Sequence, residues 1–254
     1  MAKIPFALQL YSVRDVLETD RLATLRRVKE IGYDHVELAG TPGGTVEEFK
    51  ADLDAVGLEV LSCHVEFAAC TADLAGVIRD CQTLGVSWAV IPWLCGEENT
   101  SIADWTERGR EMAAFGRAFQ EAGIRLCYHN HHHEFVEMAG KTAFDVVFET
   151  APAADLGIEL DVGWSHYGGA DTLALMRRYA GRIPLLHIKD VKQRYEGEEP
   201  VVTELGNGAT KFPAIFKAAT EIGVEWLIVE QDESARDSLE SARMNAAFMR
   251  VHLF

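Results

Sequence analysis

Short apolar runs alternate along this chain with longer segments in which apolar residues recur every three or four positions. The short runs are Ile4–Leu10, His35–Leu38, Leu58–His64, Trp88–Ile91, Arg125–His129, Gly157–Asp161, Pro184–Ile188 and Trp226–Glu230. They are apolar on both faces, as strands of a parallel sheet covered by helices must be. Between them the spacing predicts helices over Arg21–Ile31, Val46–Val56, Ala72–Leu84, Ile102–Ala122, Thr142–Glu149, Asp171–Ala180, Lys211–Ile222 and Ala235–Val251. Gly32, Gly57, Gly85, Gly123 and Gly223 each follow a helix and shortly precede a strand. Glycine accepts the left-handed backbone conformation that ends a helix.

Eight strand–helix units in 254 residues are the arithmetic of a (β/α)8 TIM barrel, an α/β fold. An open doubly wound sheet is the structural rival, but no GxGxxG follows the first strand. Without a linker rich in Pro, Gly or Ser, residues 1–254 read as a single domain. The charged stretch Asp190–Gly208 after the seventh strand is expected to be a loop over the barrel mouth.

Composition narrows the function. A chain of this length buries about three quarters of its unfolded surface, and 48% apolar residues supply the core, so disorder is excluded. Forty acidic against 24 basic residues leave a net charge of −16. That balance argues against nucleic acid, which needs clustered Lys and Arg, and against an anionic membrane surface. Five cysteines (Cys63, Cys70, Cys81, Cys95, Cys127), odd in number and without CxxC spacing, read as reduced thiols in a cytoplasmic protein. The chain shows no signal-peptide pattern and no apolar stretch long enough to span a membrane.

In a TIM barrel, chemistry gathers at the C-terminal ends of the strands. Polar residues recur at those ends here: Gln9 and Tyr11, Glu37, His64 and Glu66, Trp93, His129 to His131 with Glu134 beyond, Asp161 and Trp164, His187 with Lys189 and Asp190, and Glu230 with Gln231. Glu134, Asp161, His187 and Glu230 are expected to converge from the last four strands. Three carboxylates and an imidazole make a hard site suited to one divalent metal ion, Mn2+ first, with Mg2+, Co2+, Zn2+ or Fe2+ as alternatives. Such a cation would polarise a carbonyl and stabilise an enediolate. The competing reading is a metal-free salt-bridge cluster, in which three carboxylates repel one another and only Lys189 offsets them.

Tyr128-His-Asn-His-His-His-Glu134-Phe135, Glu159-Leu-Asp161-Val-Gly-Trp164, Leu186-His187-Ile-Lys189-Asp190 and Val229-Glu230-Gln-Asp232 resemble the strand-end motifs of the xylose isomerase-like superfamily. Among its groups, the sugar phosphate isomerases/epimerases share the opening Leu8-Gln9-Leu10-Tyr11-Ser12-Val13-Arg14-Asp15 pattern. The resemblance implies a TIM barrel with one metal on Glu134, Asp161, His187 and Glu230, a sugar or sugar-like small-molecule substrate, and a homo-oligomer. It has one departure. Epimerase relatives carry the first glutamate on strand 5, where this chain has Tyr128-His129. The HNHxxEF arrangement instead brings the chain nearer to lyases, such as inosose dehydratases acting on keto-inositols and enzymes acting on 3-keto-glycosides.

The activity expected is sugar isomerisation or epimerisation by proton abstraction beside a carbonyl, with carbon–oxygen lyase chemistry as the alternative. Glu230, His129, His131 and Glu134 are the catalytic candidates, because imidazoles and carboxylates can take that proton. His129 and His131 share a strand face by alternation. His64, Glu66, Trp93, Trp164 and Lys189 are the substrate-binding candidates. Packing and salt bridges compete with each of those five roles. Gly206-Asn207-Gly208 before Lys211 reads either as a phosphate cradle or as a plain turn into a helix. A three-metal apurinic-endonuclease centre would need more strand-end histidines, and a binding protein without turnover is the remaining rival.

Overall fold

The computed structural model describes residues 4–41, 43–94, 101–192 and 200–253. Eight parallel strands close into a barrel: β1 (Phe6–Gln9), β2 (His35–Ala39), β3 (Glu59–His64), β4 (Trp88–Ile91), β5 (Arg125–His129), β6 (Gly157–Asp161), β7 (Leu185–Ile188) and β8 (Trp226–Val229). Each pairs with its neighbours in sequence, and β1 closes on β8 through Phe6 opposite Leu227 and Leu8 opposite Val229. The α/β barrel expected from the sequence is the fold observed.

The outer ring consists of α1 (Arg21–Ile31), α2 (Val46–Val56), α3 (Phe67–Leu84), α4 (Ile102–Glu121), α5 (Ala143–Thr150), α6 (Thr172–Arg178), α7 (Phe212–Ile222) and α8 (Ser238–Leu253). Local sequence sets their ends. Thr45 with Glu48 and Ser101 with Asp104 form reciprocal capping boxes at the starts of α2 and α4. The glycines at the ends of α1, α2, α3 and α7 all take positive φ, as their helix-ending role requires. α3 starts five residues before the periodicity predicts, because non-helical Asp73 kinks it and breaks the apolar spacing. The sequence also hides short helical turns at Leu10–Val13, Arg14–Leu17 and Val162–Tyr167, each wedged behind a strand end.

The main core lies between strands and helices, and a second cluster fills the barrel. Ala7, Leu61, Trp88, Val90, Cys127, Leu185 and Ile228 plug its lower half. Arg125 stacks on Trp88 at 4.3 Å and pairs with Glu225 at 2.7 and 2.9 Å beneath that plug. The plug thus separates this charged pair at the lower rim from the larger set of polar residues at the opposite end. Cys63, Cys70, Cys81 and Cys127 are unpaired and buried; Cys95 lies outside the described residues, as does 193–199 of the loop after β7. No helix among the described residues is long and apolar enough to cross a membrane.

Helix α4 approaches the turn before β6 so closely that a Cβ on Gly116 would meet the Asp155 carbonyl. Gly116→Ala is therefore expected to destabilise the barrel by ~1–3 kcal/mol. Circular-dichroism melting should show this as a Tm lower by roughly 3–10 °C for a domain of this size; an unchanged Tm would mean that the contact yields freely.

Candidate functional site

Strand alternation builds the site in two storeys above the apolar plug. On β6, Glu159 and Asp161 both face inward, as do His129 and His131 on and just beyond β5. Asn130, between the two histidines, points the other way. Its side chain accepts from the Asp161 backbone N–H at 3.0 Å and so ties β5 to β6.

The lower storey holds Gln9, Glu37, Ser62 and Glu159, all fully buried. Glu37 accepts from Gln9 Nε2 at 2.9 Å and from Ser62 Oγ at 2.5 Å, and faces His187 Nε2 at 2.6 Å. His64 Nε2 lies 3.2 Å from Glu37 and 3.3 Å from Glu159. Burial works against a charged imidazole, but the carboxylates outweigh it: His64 is pushed up to about 9, and His187 is also held well above the usual range. Glu37 stays ionised despite its burial because these two rings offset the cost.

The upper storey is His129, Asp161, His187 and Glu230, whose donor atoms all lie within 4.8 Å of one another. Asp161 Oδ1 caps the short helix Val162–Tyr167, accepting from Trp164 N at 2.7 Å. That cap fixes the side chain and leaves Oδ2 facing the Lys189 ammonium at 3.1 Å. Burial pushes Asp161 up to about 6 although Lys189 and His187 oppose the shift, so the group is short of positive charge. Burial and the neighbouring His187 keep His129 neutral, the form in which an imidazole ligates. Glu230 is held ionised, burial notwithstanding, by Lys189 at 2.8 Å and by His187 Nδ1 at 3.0 Å. Two carboxylates and two imidazoles converging in this way are a donor set that fits a divalent cation. A second set, His64, His129, Glu159 and His187, overlaps the first through two shared histidines.

Three of the four expected ligands are therefore brought together, and Glu134 is not among them. Its carboxylate turns back onto its own loop, accepting from Tyr128 Oη at 2.5 Å and His131 N at 2.9 Å, with His133 Nε2 at 3.1 Å. Five residues past His129 the chain is no longer strand, so alternation cannot say where that side chain points. In the observed geometry it shapes the turn that carries His131, and His129 stands in the cage instead.

A cavity of about 500 Å³ opens above the cage, lined by Tyr11, His64, Glu66, Trp93, His129, His131, Glu230 and Asp232 among others. His64, Glu66 and Trp93 thus face it as expected. Trp93 is 43% exposed and stands edge-on to His131, with ring centroids 4.6 Å apart. Burial pulls His131 down to about 3, so it is a neutral ring. Trp164 and Lys189 lie behind this wall. Lys189 is fully buried beneath the Trp164 ring, with its ammonium 3.1, 2.8 and 2.8 Å from Asp161, Glu230 and Asp232. Its cationic capacity is used by the protein itself. The Gly206–Gly208 turn is likewise filled from within: Asp190 accepts from Gly206 N, Gly208 N and Thr210 N at 2.8–3.1 Å.

Sequence reasoning gave no role to Glu37 and Glu159. The period of two from Asp161 back to Glu159 was the available signal, and two residues on from Glu230 the same period reaches Asp232.

A sequence model of the xylose isomerase-like TIM barrel family matches residues 25–251. The chain belongs to the xylose isomerase-like TIM barrel family. Within this family it is 28% identical to the rhizopine catabolism protein MocC of Rhizobium meliloti, covering 87% of this chain and 78% of that one. It is 24% identical to the inosose dehydratase of Geobacillus kaustophilus, covering 82% and 79%. Among solved structures, a sugar phosphate isomerase/epimerase from Parabacteroides distasonis superposes with a TM-score of 0.80 at 26% identity, over 98% of this chain and 94% of the other. The zinc-bound IOLI protein shares the fold, with a TM-score of 0.76 at 16% identity over 99% of both chains.

The raised His64 sets a pH dependence in the metal-free protein. A group whose pKa is raised on folding stabilises fully below its ordinary value, and that contribution fades as pH climbs through the folded one. With a chelator present, the Tm should fall between pH 6.5 and 9.5, and His64→Gln should flatten that fall. Identical pH profiles for the two proteins would contradict the assignment.

Proposed function

We propose that this xylose isomerase-like barrel is a divalent-cation-dependent enzyme that removes the proton next to a carbonyl of a polyhydroxylated, sugar-like small molecule. Returned to another carbon or face, that proton completes an isomerisation or epimerisation. The observation that carries this reading is the convergence of His129, Asp161, His187 and Glu230 beneath a cavity of about 500 Å³, a size that suits a monosaccharide-like ligand.

These four side chains would hold the ion: the two carboxylates suit Mn2+, and the two imidazoles bring Zn2+, Fe2+ or Co2+ within the same range. Bound there, a divalent ion supplies Lewis acidity to a carbonyl and its neighbouring hydroxyl. The protein supplies the proton acceptors. Glu230 and His131 face the same cavity from the ends of β8 and β5, three strands apart around the barrel. Glu230 is kept anionic by Lys189, and His131 is kept neutral with its Nδ1 unbonded. Glu230, once it has taken the proton, can return that same proton to the neighbouring carbon, while protonation of the opposite face would need the group on the other wall in its proton-bearing form. Trp93 offers an apolar face for a sugar ring, and Glu66 offers oxygens to its hydroxyls.

A second outcome is favoured by the 24% identity to an inosose dehydratase across most of both chains, together with the position of His64 on the cavity wall. An imidazole there can protonate a departing β-oxygen after the C–H proton has gone to the base, which makes the reaction a carbon–oxygen elimination on a keto-sugar, keto-inositol or 3-keto-glycoside.

Incubation in D2O with Mn2+ and a panel of ketoses and keto-inositols is expected to place deuterium beside the carbonyl. EDTA should abolish the uptake and Mn2+ restore it. Glu230→Gln should slow it by about 100-fold or more, the usual worth of a catalytic acid or base. A dehydrated or enone product seen by NMR would select elimination over isomerisation, and uptake that is indifferent to EDTA would refute the cation's role.

A further inference from the structure

Glu37 lies outside both the cation cage and the cavity wall, yet it is fully buried in the middle of β2. A carboxylate in that position is costly unless its partners are arranged around it. Here they come from both neighbouring strands. Gln9 on β1 donates to Oε1 at 2.9 Å and Ser62 on β3 donates to Oε2 at 2.5 Å. So held, Oε1 is aimed across the barrel at His187 Nε2, 2.6 Å away. The other ring nitrogen, Nδ1, faces Glu230 at 3.0 Å.

We infer that Glu37 is the positioning residue of the cation site: it accepts the Nε2 proton of His187 and so leaves Nδ1, on the Glu230 side, as the ligating nitrogen. The inference rests on the cation reading proposed above. A nitrogen that carries a proton cannot ligate, and a carboxylate on the far side of a ligating imidazole fixes its tautomer and orientation and raises its basicity. The same contact decides between the two overlapping cages. The inner cage would use His187 through Nε2, which is 3.1 Å from Glu159. Glu37 holds that nitrogen at shorter range and is anchored through both oxygens, whereas Glu159 Oε1 has no hydrogen-bond partner among the described residues. The cation is thereby directed to the outer cage, beside the cavity.

Titration of Mn2+ into metal-free protein, followed by the EPR signal of the free ion, should show affinity reduced about 10-fold or more in Glu37→Gln. Glu159→Gln should change it less. In wild-type protein loaded with Zn2+, 15N–1H correlation of the histidine rings should show His187 protonated at Nε2 and ligating through Nδ1. The NMR measurement needs no variant, so it stands even if Glu37→Gln fails to fold. Equal Mn2+ affinities for wild type and Glu37→Gln, or ligation through Nε2, would overturn the inference. Failure of the wild type to bind Mn2+ at all would instead overturn the cation reading beneath it.

Discussion

Five carboxylates, those of Glu37, Glu159, Asp161, Glu230 and Asp232, are crowded into the upper half of a closed barrel whose lower half is hydrocarbon. Most of what is distinctive in this molecule follows from the need to compensate that charge. Lys189 alone serves three of the five, and His64 and His187 are drawn into the charged state by the others. Asp161 is nevertheless pushed up to about 6 by its burial. Among the described residues Lys189 is the only buried lysine, so the carboxylates must share it, and the histidines must supply the rest of the compensation.

The parallel barrel makes such crowding feasible. Inward residues from neighbouring strands stack in layers, so a single change of residue class along β6, from apolar Ile158 and Leu160 facing outward to Glu159 and Asp161 facing inward, writes two polar storeys at once. The helix-ring core is unaffected because it lies on the other side of the same strands. Asn130 shows how the two sides are coupled. It leaves the site, yet by clasping the Asp161 backbone it sets the height at which β6 presents its carboxylate.

The fold was largely legible because its signals are local. Two-sided apolar strands recur around the barrel and glycines end five of its helices, and departures such as the early start of α3 arise where Asp73 disturbs the period. The inward placement of Asp161, His187, Glu230, His129 and His64 in the upper barrel followed from strand position and alternation. Placement was not legible at Glu134, whose direction depends on a turn, nor at Trp164, which lies on the short helix after β6, nor at Lys189, which alternation turns inward but whose neighbours close over it. The part played by Glu37 could not be read because it is a relation among four strands: its meaning lies in Gln9, Ser62 and His187, which sequence separation does not bring together.

The loop after β7 has a consequence for what the barrel mouth can admit. Asp190 occupies the ring of backbone amides at Gly206, Gly208 and Thr210, so one of the chain's own carboxylates holds the donors that an external anionic group at this turn would need. To enter, such a group would have to evict a carboxylate engaged in three charge-assisted hydrogen bonds and release the segment it anchors. The carboxylate thus serves as a tether that pins the turn before α7 to the end of β7 from within.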